Sequence, residues 1–144
     1  MMPGGPLGPA PGAGLRTGER VERIRAWVEA LTTALEGGDL DAAMRGFAVE
    51  CSWQPGPFVE AARGKAAIRA LLAARLATMP RLDTRAEILG AGATYGVVHW
   101  SLSWGDRGPG ERADGLLLVA LDPMGRGSAV REWTVEDGRP LEAP

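Results

Sequence analysis

Apolar residues recur at three- and four-residue steps through the front of the chain and at every second residue through its back half. Val21, Ile24, Val28, Leu31 and Leu35 mark one face of a helix from about Glu19 to Glu36, with Trp27 beside that face. Thr17 is placed to cap this helix, and Glu19 and Glu22 lie near its positive end. Gly37-Gly38 ends it, because glycine tolerates the left-handed conformation of a helix terminus. Asp39 then reads as the N-cap of a short helix that stops near Phe47, with Leu40, Ala43, Met44 and Phe47 on one face. Cys51 to Gln54 reads as a strand through Trp53. Pro55, Gly56 and Pro57 break it, and Phe58-Val59 resumes extended structure. The third helix runs from about Lys65 to Thr78, with Ile68, Leu71, Leu72, Leu76 and Met79 inward and Pro80 as its stop.

After Pro80 the pattern changes to strands over Leu82–Leu89, Thr94–Trp104, Gly115–Leu121 and Ala129–Val135, joined by turn residues. Three helices followed by an antiparallel meander predict an α+β domain with the helices packed on one sheet face. Within Thr94–Trp104, Val98, Trp100, Leu102 and Trp104 share one face, and Val97, His99, Ser101 and Ser103 the other. The first face is expected to look into the helices.

The length, 144 residues, suits one domain with a real core. Residues 1–16 read as a disordered Pro/Gly-rich tail, 17–138 as the domain and 139–144 as a second tail. A net charge of −2 with both signs scattered argues against a nucleic-acid partner. No apolar run approaches the roughly 20 residues needed to span a bilayer, so no membrane partner is expected. The N-terminal stretch lacks the basic residues of a secretory signal, and Cys51 alone cannot form an intrachain disulfide; both point to the cytoplasm. One His and one Cys cannot build a His/Cys zinc site, and no clustered Asp/Glu motif suggests a carboxylate one. No metal and no cofactor are expected.

The stretch Leu35–Ile68, with GGDLDAAMRGFA, the Trp53 strand and GKAAIRALL, resembles the SnoaL-like branch of the NTF2-like superfamily, as do VVHWSLSWG, DGLLLVALDPMGRG and VREWTVED. The resemblance spans about Val21 to Asp137. It implies a strongly bent, mostly antiparallel sheet wrapped round three helices, with a pocket opening between them and homodimers formed through the outer sheet face. The family's activities include polyketide ring closure, ketosteroid isomerisation, dehydration and epoxide hydrolysis; fold alone does not choose among them.

Carried over residue by residue, the enzyme templates fit poorly. The Tyr and two Asp of ketosteroid isomerases fall at Leu31, Pro55 and near Leu117, none of which can move a proton. The Tyr and Asn of limonene-type epoxide hydrolases fall at Trp53 and Pro55, and their Arg-x-Asp pair at Trp100 and Leu102. Of that set the resemblance leaves only the base position acidic, at Glu132.

The residues singled out each have two readings. Leu31, Trp53, Phe58, Trp100 and Leu102 either line a ligand pocket or fill a core. Glu132 alternates with Val130 and Thr134. Pointing inward it would be desolvated and suited to acid–base work; otherwise it is a surface glutamate with Trp133 inside. His99, the only histidine, is a second acid–base candidate, although its parity with Ser101 and Ser103 suggests the outer face or a dimer contact. Cys51 reads as a small buried residue and Asp114 as a turn or strand-start residue. The expected function is a cofactor-independent isomerase, cyclase or hydrolase of SnoaL type, acting on a small apolar ligand, cyclic or open-chain, by acid–base chemistry. The alternative is a non-catalytic binding, accessory or dimerisation protein with the same fold.

Overall fold

A computed structural model describes residues 16–106 and 111–137, so both expected tails lie outside the described residues except for Arg16. Helix α1 covers Thr17–Glu36. Thr17 is its first helical residue and not its cap, since Arg16 holds the extended N-cap conformation without a side-chain bond. At the other end Gly38 takes a positive φ of 67°, which turns the chain so that the Asp39 amide reaches the Ala34 carbonyl at 2.8 Å. Asp39 caps α2 (Leu40–Arg45), accepting the Ala42 amide hydrogen at 2.9 Å.

Helix α2 is shorter than the apolar pattern suggested, and strand β1 (Phe47–Gln54) is longer. The cause is Gly46. Its carbonyl accepts both the Trp27 indole N–H, at 2.8 Å, and the Gly127 amide, at 2.7 Å. That double anchor stops the helix and starts Phe47 along the sheet. Gly127 itself has no room for a side chain, because a Cβ there would stand 2.9 Å from the Trp27 ring.

Phe58-Val59 does not resume a strand. The extended segment is β2, Ala62–Arg63, and Gly64 then leads into α3, Lys65–Ala77. The meander follows as β3 (Asp83–Ala91), β4 (Tyr95–Ser103), β5 (Arg112–Leu121) and β6 (Gly127–Glu136). The six strands lie in the order β2-β1-β6-β5-β4-β3, antiparallel throughout except where β1 runs parallel to β6. The result is a curved α+β sheet with its three helices toward the front of the chain. Among the described residues no helix is long and apolar enough to cross a membrane.

The alternation in β4 sends Val98, Trp100, Leu102 and Trp104 to the buried side. There they meet Leu31 and Val28 of α1, Ile68 and Leu72 of α3, and Leu117 and Val119 of β5 in one core. Gly115 sits opposite Trp100 on one side and Thr134 on the other. A Cβ at Gly115 would fall 2.2 Å from the Trp133 carbonyl, so this crossing requires glycine. Its absence of a side chain also leaves space for Trp100 to donate its indole N–H to Thr134 Oγ1 at 3.0 Å.

Candidate functional site

Among the described residues, the helix-facing side of the sheet holds one buried charge. Glu132 projects from β6, between β1 and β5, and is 2% exposed. Its Oε1 accepts the Trp53 indole N–H at 2.9 Å and one Arg75 N–H at 2.8 Å. Its Oε2 accepts a second Arg75 N–H at 2.9 Å. The guanidinium thus grips the carboxylate as a fork, the geometry that makes such pairs strong and directional. The same guanidinium stands 6.0 Å from the centre of the Trp53 ring, at the edge of cation–π range. Trp53 in turn lies 6.3 Å from Trp100 and 6.2 Å from Phe47, ring centre to ring centre.

Arg75 was not among the residues the sequence singled out, though its position carries a signal. It follows Ile68 and Leu72 and precedes Met79 at helical spacing, so a charged side chain sits on the inward stripe of α3. A cation there predicts a buried anion opposite. Arg75 lies in the last turn of α3, where the helix's negative end favours it. It is also the member of the group that reaches solvent, with 19% of its side chain exposed against 1% for Glu132.

Leu31, Trp53, Trp100 and Leu102 all fall in the core around this pair. All four are buried, Trp53 at 0% exposure, and Leu102 also borders a depression at the end of the sheet. Phe58 does not join them. It is fully exposed, because Pro55, Gly56 and Pro57 carry the chain outward, and Gln54 donates to the Val59 carbonyl to hold the loop there.

His99 lies on the opposite side of the sheet from Glu132, so the two acid–base candidates do not meet. Its Nδ1 is 3.0 Å from Glu87 Oε1 and its Nε2 2.8 Å from Asp114 Oδ1. Ser101 also donates to Asp114 Oδ1, at 2.6 Å. The hydrogen bond to Glu87, and after it the one to Asp114, raises the imidazole's pKa above its ordinary value. Asp114 is lowered, first by the Ser101 hydroxyl and then by His99. The histidine is clamped by two carboxylates, and the Ser101 hydroxyl faces the Asp114 carboxylate and not the imidazole, so no nucleophile–base pair forms. Of its two readings Asp114 takes the strand-start one: it lies near the start of β5, with His99 and Ser101 as partners. Burial pushes the Cys51 thiol up, against the opposing pull of Lys65 and the Gly64 amide, which makes it a poor nucleophile.

An open depression of about 870 Å³ lies on the outer face, at the end of the strands where Arg85, Ser101, Ser103, Arg112, Asp114 and Val135 meet. It includes neither Glu132 nor Trp53. Its charges are mixed in sign, and Arg112 is engaged by Asp137. Glu132, by contrast, is a carboxylate held away from bulk water.

Comparisons agree on the fold. The SnoaL-like domain profile matches residues 24–142. Among solved structures, an NTF2-like protein of unknown function from Burkholderia xenovorans LB400 shares 22% identity over 87% of this chain and 90% of its own, with a TM-score of 0.65. The epoxide hydrolase/cyclase-like enzyme SalBIII, which has a role in pyran ring formation in the polyether salinomycin, shares 16% over 79% of this chain and 91% of its own, also at 0.65. The protein RV0760c of Mycobacterium tuberculosis shares 14% over 79% and 96%, at 0.65. No curated protein matches the sequence.

Proposed function

The chain belongs to the SnoaL-like domain family, and from that premise we propose that it is a small-molecule protein of SnoaL type working without metal or organic cofactor. It takes a mainly apolar ligand between the helices and the sheet and carries out acid–base chemistry of the isomerase, cyclase or hydrolase kind. The observation that carries this reading is the burial of Glu132 among Trp53, Trp100 and Leu117. A buried ion pair seldom stabilises a fold more than apolar side chains of the same volume would, so a charge retained there suits recognition or proton transfer better than scaffolding.

Three of the roughly four lone-pair positions of a carboxylate are taken by Trp53 and Arg75. The remaining one is on Oε2, which is where a ligand's proton would be taken or returned. Leu31, Trp100 and Leu102 would shape the apolar part of the site. Since these groups are closed off from solvent, a ligand enters as Arg75 moves aside. His99 has no part in this reaction, because it lies across the sheet and both its nitrogens are engaged.

The test is native mass spectrometry of the purified protein for a retained ligand, followed by turnover of that ligand. Conversion by the wild type and its loss in Glu132→Gln is the expected result. Binding with no conversion would leave a binding protein and remove the enzyme. A second feature favours an accessory role as a homodimer. Leu116, Trp133 and Val135 are exposed at 40%, 39% and 75% on the outer face, a row that a second copy would cover. Sedimentation velocity should then give a dimer for the wild type and a monomer for Trp133→Glu. The single buried thiol suits the reducing cytoplasm.

A further inference from the structure

We infer that Arg75 occupies the seat of the ligand's own head group, and that the ligand is a cation: a primary ammonium, amidinium or guanidinium carried on a small apolar body. The inference rests on the reading of the interior as a ligand site and names what that site accepts.

Glu132 cannot retreat. It stands on a strand paired on both sides, with its Oε1 tied to the Trp53 indole. Trp53, which donates to it, and Leu117, its partner on β5, are both 0% exposed. Arg75 can retreat. It hangs from the last turn of α3 on a long flexible stem with part of its side chain already in water. When it swings out it vacates a space bounded by a carboxylate and the face of a tryptophan, and those two surfaces together select positive charge. A neutral ligand in that space would strand a buried carboxylate whose only remaining donor is Trp53, weakening binding on the order of a hundredfold or more. A cationic ligand replaces both interactions that Arg75 gives up. Arg75 is thereby an internal competitor that closes the site when no ligand is present and sets a threshold on which ligands can open it.

The experiment compares n-butylguanidinium with n-butylurea, which has a similar planar head and no charge. Each is titrated into the full-length wild type, Arg75→Ala and Arg75→Ala/Glu132→Gln. Binding is read by calorimetry and by the ¹⁵N–¹H signal of the Trp53 indole. The inference expects n-butylguanidinium to bind Arg75→Ala at least tenfold more tightly than n-butylurea. It expects weaker but measurable binding to the wild type, where Arg75 competes, and no preference for the cation in the double variant. Should Arg75→Ala fold poorly alone, n-butylguanidinium and not n-butylurea should raise its melting temperature. Equal binding of the two probes to Arg75→Ala would overturn the cationic ligand while leaving an interior pocket. Binding to Arg75→Ala but not to the wild type would overturn displacement and make Arg75 a fixed structural partner. An unmoved Trp53 signal with both probes in all three proteins would remove the interior ligand site itself.

Discussion

Replacing Arg75 with methionine tests the pairing at the centre of the fold. The change keeps an unbranched apolar stem and removes the guanidinium, so Glu132 is left 2% exposed with the Trp53 indole as its remaining donor. Breaking one side of a buried pair costs about 3–5 kcal/mol. Arg75 is 19% exposed, which lets some water reach the vacated end and places the expected loss near the bottom of that range, about 3 kcal/mol. For a domain of this size that is a fall in melting temperature of roughly 10–15 °C. The companion variant Arg75→Met/Glu132→Gln removes both charges and keeps an oxygen for the Trp53 N–H. It should recover most of the loss, because a buried pair contributes little beyond what uncharged side chains of similar volume provide. Urea denaturation of the wild type, both single variants and the double variant closes the cycle. A single-variant loss below about 1 kcal/mol would refute the burial argument. So would a double variant no more stable than Arg75→Met, since the penalty then could not come from a stranded carboxylate.

Further outcomes follow from other parts of the sheet. Because the pKa of His99 is raised above its ordinary 6.5, its clamp contributes fully below that pH and is lost as pH rises through the higher folded value. The difference in melting temperature between wild type and His99→Gln should therefore shrink between neutral and alkaline pH; a constant difference would show that the clamp does not titrate. Gly115→Ala should cost about 1–3 kcal/mol or more by thermal or urea unfolding, since its methyl would collide with the Trp133 carbonyl and Thr134. Trp100→Phe should cost about 1–2 kcal/mol through the lost bond to Thr134 and the smaller ring, again by urea denaturation. Phe58→Ser should stay within about 0.5 kcal/mol of wild type in the same assay, as expected of a fully exposed side chain outside the core.

Local rules reach far in this chain. The three- and four-residue steps in Val21–Leu35 and Lys65–Thr78 and the two-residue alternation in Thr94–Trp104 are properties of helices and strands themselves, so the elements and their inward faces are readable before any folding. Gly37-Gly38-Asp39 likewise marks one helix's end and the next one's start through backbone freedom and a capping carboxylate. The boundaries at Gly46 and Phe47 escape this logic because they depend on Trp27 and Gly127, about 19 and 81 residues away, converging on one carbonyl.

The site divides the same way. Alternation allowed either Glu132 or Trp133 to face the core, and parity alone cannot say which side of a strand is covered. The choice falls to Glu132 because Arg75 and the Trp53 indole, 57 and 79 residues away in sequence, supply the hydrogen bonds a buried carboxylate must have. Phe58 shows the converse: its apolar character predicted burial, but the Pro55–Pro57 turn carries it outward, where among the described residues it is fully exposed. His99 and its two carboxylates become a cluster only when β3, β4 and β5 align in register. Periodicity acts over a few residues and is written in the chain, whereas the fate of a charge depends on which distant groups the sheet brings within about 3 Å of it.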